Sequence, residues 1–219
     1  MKITDELISF IREYYASNSF IPLHEPRFRG NEKDYLNKTI DSTFVSSVGN
    51  YVDQFEYLMQ EITGTNKAVA VVNGTASLQV ALRLAGVLAG NEVITQGLTF
   101  VATANAIIYN QAIPVFIDVD LDTMGLSPKA VNLFLEEFAE LREDGCFNKL
   151  TGRRIAAIMP MHTFGFPVHM DELLSVGQKW GIPVVEDAAE ALGSFYKGKH
   201  LGSMGLIAGF SFNGNKIVT

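Results

Sequence analysis

At 219 residues the chain is long enough for one large α/β domain with a covered core. Its 47% hydrophobic and 19% charged residues exclude disorder, and 17 basic against 24 acidic residues, a net charge of −7, leave no basic face for nucleic acid. The lone cysteine, Cys146, can form no internal disulfide and fits a reducing, cytoplasmic setting.

The opening stretch, MKITDELISFIREYY, is acidic and amphipathic and lacks the basic flank of a signal peptide. No apolar run of about 18 residues is free of polar interruption, so no membrane contact is expected. Leu7, Ile8, Ile11, Tyr14 and Tyr15 fall at helical spacing and predict a helix over 4–16. Residues 17–30, with Pro22, Pro26 and Gly30, read as an extended arm. Helices are expected near 31–42, after Asn31, and over 51–63, stopped by Gly64. Residues 1–64 thus form a helical N-terminal segment and arm, and 65–219 a larger domain.

From residue 68 onward short apolar runs alternate with helical patterns. Strands are expected at 68–72, 92–95, 113–119, 155–161 and 182–186, with helices at 76–88, 100–109, 127–141 and 170–180. Ser127 and Pro128 mark one helix start. Residues 143–153 read as a polar loop, 196–199 as a hairpin tip and 206–212 as a final strand. Nearly all-apolar strands between helices predict a three-layer α/β fold, a mostly parallel sheet with helices on both faces.

Ligands of such sheets gather at the carboxyl ends of the strands. Three segments there carry suitable chemistry. Asn73-Gly74-Thr75-Ala76-Ser77 offers N–H groups and hydroxyls at a helix start, suited to an anion, although for the loop taken alone an ordinary helix cap is the commoner explanation. It lacks the Gly-Lys-Ser/Thr and G-x-G-x-x-G signatures of other phosphate loops. Asp187 ends the run Ile182–Glu186, where a carboxylate can hold a protonated ring nitrogen or merely cap a helix. Lys216 follows the strand end Ser211 in a loop of small residues. There it is either a carbonyl-attacking amine or a solvated lysine.

Taken together, NGTAS (73–77), LTFVATANAI (98–107), HTFG (162–165), VVEDAAEALGS (184–194) and SFNGNK (211–216) resemble the sugar-nucleotide aminotransferases of the DegT–StrS family. The resemblance runs from about Gly30 to the last residue. It implies the aspartate-aminotransferase-like, fold-type-I large domain and pyridoxal 5′-phosphate as cofactor. It further implies an amino-acid donor, a nucleotide-sugar acceptor and a homodimer with the active site at the interface. On matched positions, Gly74, Thr75, Ala76 and Ser211 resemble the family's phosphate contacts and Phe100 the aromatic stacked on the ring. Asp187 resembles the ring-nitrogen partner, and Lys216 the Schiff-base lysine and proton shuttle. A phenylalanine in a helical stretch is otherwise a core residue, so Phe100 has that second reading.

Two positions depart from the pattern. Glu190 stands where glutamine commonly reaches the cofactor's phenolic oxygen, and Asn213 where histidine is frequent. The presence of Lys216 speaks against the family's dehydratase branch, where histidine replaces it. Within the arm, PLHEPRFRGNEKDYL resembles a subgroup of nonulosonic-acid (legionaminic-type) pathways of cell-surface polysaccharide biosynthesis and points to a UDP-linked 4-keto-6-deoxy sugar. Because the family continues past the lysine with another strand and a small C-terminal domain, the large domain is expected to be incomplete here, with weak cofactor retention. A sugar dehydratase or isomerase using the same cofactor, and a non-catalytic ligand-sensing domain of the same fold, are the competing readings.

Other constellations carry less. Asp118–Asp122 begins like a calcium loop, but Thr123 and Lys129 stand where its glycine and glutamate belong. His24, His162, His169 and His200 have no zinc spacing, and no metal is expected. His162, at a strand end, either approaches the cofactor or is a hydrogen-bonded structural histidine.

Overall fold

A computed structural model describes residues 2–219. Three helices come first: α1 (Ile3–Tyr14), α2 (Glu32–Asp41) and α3 (Asn50–Thr63), the last stopped by Gly64 in the left-handed region at φ 70°. None of the residues of α1 or α2 is buried. Helix α3 reaches the rest of the chain through Met59, and through Phe55, whose ring meets that of Phe212 edge-on at 4.9 Å.

Five parallel strands follow: β1 (Glu92–Gln96), β2 (Ile113–Ile117), β5 (Ile155–Met159), β6 (Val185–Asp187) and β9 (Ile207–Gly209). Ladders and the bridges Ile158–Val184 and Met161–Asp187 set the order β2-β1-β5-β6-β9. Between the strands run α4 (Gly74–Leu84), α5 (Val101–Tyr109), α6 (Pro128–Phe138) and α7 (Met170–Trp180). The start of α6 is as expected, with Pro128 in its first turn and Ser127 Oγ accepting from Ala130 N.

Strand alternation divides the core in two. Ile94 and Ile158 point to the side of α6 and α7, where they pack with Val131, Leu135, Met170 and Leu173. Their neighbours Val93, Ala157 and Met159 point the other way, onto Leu78, Leu82, Ala106 and Ile107 of α4 and α5. Both faces being covered explains why β1 and β5 are apolar or buried at every position rather than at alternate ones. The three-layer α/β expectation holds.

Some local expectations do not hold. Residues 68–72 form no strand; Val69 and Val72 are 67% and 86% exposed, and among the described residues no strand pairs with them. An apolar run without a neighbouring strand has no ladder to join. Helix α6 ends at Phe138, because Ala139 turns extended at φ −109°, ψ 156°. The polar stretch 143–153 instead contains half a hairpin, in which β3 (Ala139–Arg142) pairs antiparallel with β4 (Gly145–Asn148). The two residues Glu143-Asp144 make its turn, and Gly145 opens β4 at φ 140°, a conformation that favours glycine. A second hairpin, β7 (Phe195–Tyr196) with β8 (Lys199–His200), lies where the hairpin tip was expected.

Candidate active site

The carboxyl ends of β6 and β9 and the amino ends of α4 and α5 face one another, and the expected residues lie there. Asn73, in extended conformation, caps α4 by accepting from Ala76 N at 2.9 Å. The bland reading of this loop is therefore true, and it does not exhaust the loop. Gly74 and Thr75, the first two helical residues, have N–H groups without a hydrogen-bond partner among the described residues, as the first turn of any helix leaves them. Beside them lies Ser211: a Cβ added to Gly74 would sit 2.8 Å from Ser211 Cβ and 3.1 Å from its Oγ. Only glycine permits that approach, which brings a helix N-terminus and a hydroxyl to one spot suited to an anion.

Asp187 is buried at the end of β6, accepting from Thr103 Oγ1 at 2.6 Å and Ala189 N at 3.2 Å. Burial pushes its carboxyl above the ordinary aspartate range; the bonds from Thr103 and Ala189 and the nearby Lys216 pull the other way. A carboxylate so placed gains most from a cationic partner, and a protonated ring nitrogen is one. Thr103 escaped the sequence reading. It lies one turn into α5 from Phe100, a spacing that puts both on the same face, and this was the available signal.

Glu186, one residue earlier, points to the opposite face. Burial works against its charge, but the hydrogen bond to His162 (3.0 Å) and the N–H groups of Gly205 and Gly202 hold its pKa below normal. His162 is buried with it, its Nδ1 facing Val168 N at 3.4 Å. That histidine is the structural one of its two readings.

Lys216 extends from a turn closed by its N–H on Asn213 O. Its Nζ lies 3.0 Å from Glu190 Oε1 and 5.9 Å from the ring centre of Phe100. Phe100 is 66% exposed at the start of α5, so it is not a core residue. Phe100 and Thr103 on one helical turn thus connect the amine to the buried acid. The Gly74–Ser211 approach, the buried Asp187, the exposed Phe100 ring and the Lys216 amine all lie where β6 and β9 end and α4 and α5 begin. By their chemistry they could hold a flat ring bearing an anionic ester, a basic nitrogen and a carbonyl. Two concavities, of about 650 Å³ along α1 and about 530 Å³ at residues 38–52, contain none of these side chains.

Elsewhere, Asp120, Asp122 and His169 bring ligand atoms within 4.8 Å of one another, a grouping that sequence spacing did not reveal. His169 Nε2 is bonded to Asp122 at 3.0 Å. Among the described residues no helix is long and apolar enough to cross a membrane.

Residues 26–219 match the DegT/DnrJ/EryC1/StrS aminotransferase family. The chain belongs to this family. It is similar to the protein EpsN of Bacillus subtilis (strain 168), with 42% identity covering 91% of this chain and 49% of that protein. The GDP-perosamine synthase of Escherichia coli O157:H7 is 38% identical, covering 91% of this chain and 50% of that enzyme. The aminotransferase from Psychrobacter cryohalolentis, a solved structure, shares 32% identity with a TM-score of 0.78, over 92% of this chain and 47% of its own. The chain spans about half the length of the curated relatives it matches.

Proposed function

We propose that the protein bearing this chain is a pyridoxal-phosphate aminotransferase that moves an amino group from an amino acid, glutamate, to a nucleotide-linked keto-sugar. The observation that carries this reading is the set of contacts by which α4 meets Ser211, α5 meets Asp187, and Lys216 reaches Glu190 beside Phe100, from separated stretches of chain. Family membership supports amino transfer, and the GDP-perosamine synthase among the relatives supports a nucleotide-linked sugar as acceptor.

In this reading Gly74, Thr75, Ala76 and Ser211 hold the ester phosphate; Ala76 N–H, now on Asn73, exchanges partners to do so. Phe100 covers one face of the ring. Asp187, kept in place by Thr103, pairs with the ring nitrogen and keeps it protonated. Bound there, the cofactor supplies a carbonyl and an electron-withdrawing ring. Lys216 would supply the amine for that carbonyl and, when free, a group able to hold and move a proton beside it. Residues 1–64 form the helical segment and arm and 65–219 the cofactor-binding domain. The exposed apolar side chains of α1 to α3 support assembly as a homodimer.

Borohydride reduction in the presence of pyridoxal phosphate, followed by peptide mass mapping, tests the assignment. One cofactor equivalent is expected on Lys216; label on Lys197 or Lys199 instead, or none at all, removes the proposed mechanism.

A further inference from the structure

Both oxygens of Glu190 are engaged, and by groups from different loops. Oε1 holds Lys216 Nζ at 3.0 Å, and Oε2 accepts from Phe164 N at 3.0 Å. Phe164 lies in the left-handed region at φ 53°, and Gly165 presses against the backbone of residue 190, where an added Cβ would be 2.8 Å from the Glu190 carbonyl oxygen. The turn at 163–165 is therefore fitted to residue 190 and aims its carboxylate independently of the lysine. A glutamine could not replace it in this arrangement. Its amide has one accepting oxygen, and its NH2 would face a second donor. The two side chains are only 11% and 24% exposed, so water competes weakly for the pair.

We propose that Glu190 is a positioning residue that favours the aminated form of the cofactor over the aldehyde form. This rests on the cofactor reading given above. Lys216 cannot be in two places. To bond an aldehyde its ammonium sheds a proton, a carbon–nitrogen double bond forms, one water leaves, and the nitrogen keeps at most one N–H. The contact with Glu190 is then lost or weakened. When the cofactor arrives already carrying its own amine, Lys216 is not consumed and the pair persists. Glu190 thus weights the resting protein toward the state ready to receive a keto acceptor, and holds the amine near the Phe100 ring until it is needed.

The test is the ratio of affinities for pyridoxal phosphate and pyridoxamine phosphate, measured by equilibrium dialysis on the protein at its full natural length. Contacts to parts shared by the two forms cancel in this ratio. Glu190→Gln is expected to shift it about tenfold toward the aldehyde form, the scale of one hydrogen bond to a charged group. Glu190→Ala should move it the same way, and in a Lys216→Ala background neither change should have an effect. An unchanged ratio, or equal weakening of both forms, overturns the proposal while leaving the cofactor site intact. If the unaltered protein binds neither form, the reading beneath it fails as well.

Discussion

Helices α1 and α4 have comparable apolar spacing and opposite fates. In α1, Leu7, Ile8 and Ile11 recur along one face, yet the helix has no buried residue. In α4, Leu78, Ala81 and Leu82 recur in the same way and are almost wholly removed from water by packing against α5, β9 and β6. The periodic pattern identifies which face of a helix is apolar; whether that face is covered depends on what the rest of the molecule places against it. The α/β body covers its own helices because its sheet has two faces and α4 to α7 occupy both. The N-terminal segment has α3 as its contact with that body, chiefly through Phe55 and Met59.

The largest effect expected from this contrast is in the body. Leu135 is fully buried among Ile94, Leu126, Ile158 and Leu173. Leu135→Ala should lower the unfolding free energy by about 2–5 kcal/mol, through lost burial and the cavity left behind. Chemical denaturation measures it, and a loss below about 1 kcal/mol would mean the core is loosely packed and the contrast between the regions is weaker than drawn.

A second prediction separates the site from the core around it. The Asp187 carboxyl is raised above its unfolded value by burial. Its contribution to stability is therefore full below the unfolded pKa and lost as pH rises through the folded pKa. Asp187→Asn cannot ionise; its one oxygen still accepts from Ala189 N, and its NH2 can donate to the Thr103 hydroxyl oxygen. Its melting temperature relative to the unaltered chain should therefore climb, by a few degrees, between acidic and neutral pH. Transamination should fall in the same variant, since a neutral amide does not hold a protonated ring nitrogen. A difference in melting temperature that is flat with pH would show that the buried acid is not under this strain.

How much of this was legible beforehand differs in the same way. Asp187, Lys216 and the 73–77 loop lie at strand ends within local motifs, so chain order alone indicated them. Thr103, Phe164 and their hydrogen bonds are long-range facts: Thr103 meets Asp187 across 84 positions and Phe164 meets Glu190 across 26. The run at 68–72 was misread because apolarity was taken to imply a neighbouring strand. The hairpin at 139–148 is not evident from the sequence because helical spacing extends past Phe138, and its two-residue turn, Glu143-Asp144, carries no strong turn signal.

The smallest expected effect is the one that bears most directly on the N-terminal segment. Leu7 is 58% exposed on α1. Leu7→Ala removes methyl groups that already face water, and alanine is the better helix former, so the chain should change in stability by less than about 0.5 kcal/mol. The same denaturation experiment as for Leu135 reads it. A loss above about 1.5 kcal/mol would require Leu7 to be covered, since exposed side chains away from caps and special backbone positions do not cost that much. Such a result, if it grew with protein concentration, would point to a second copy of the chain as the cover. The apolar face of α1 would then be of the same kind as that of α4, completed between molecules instead of within one.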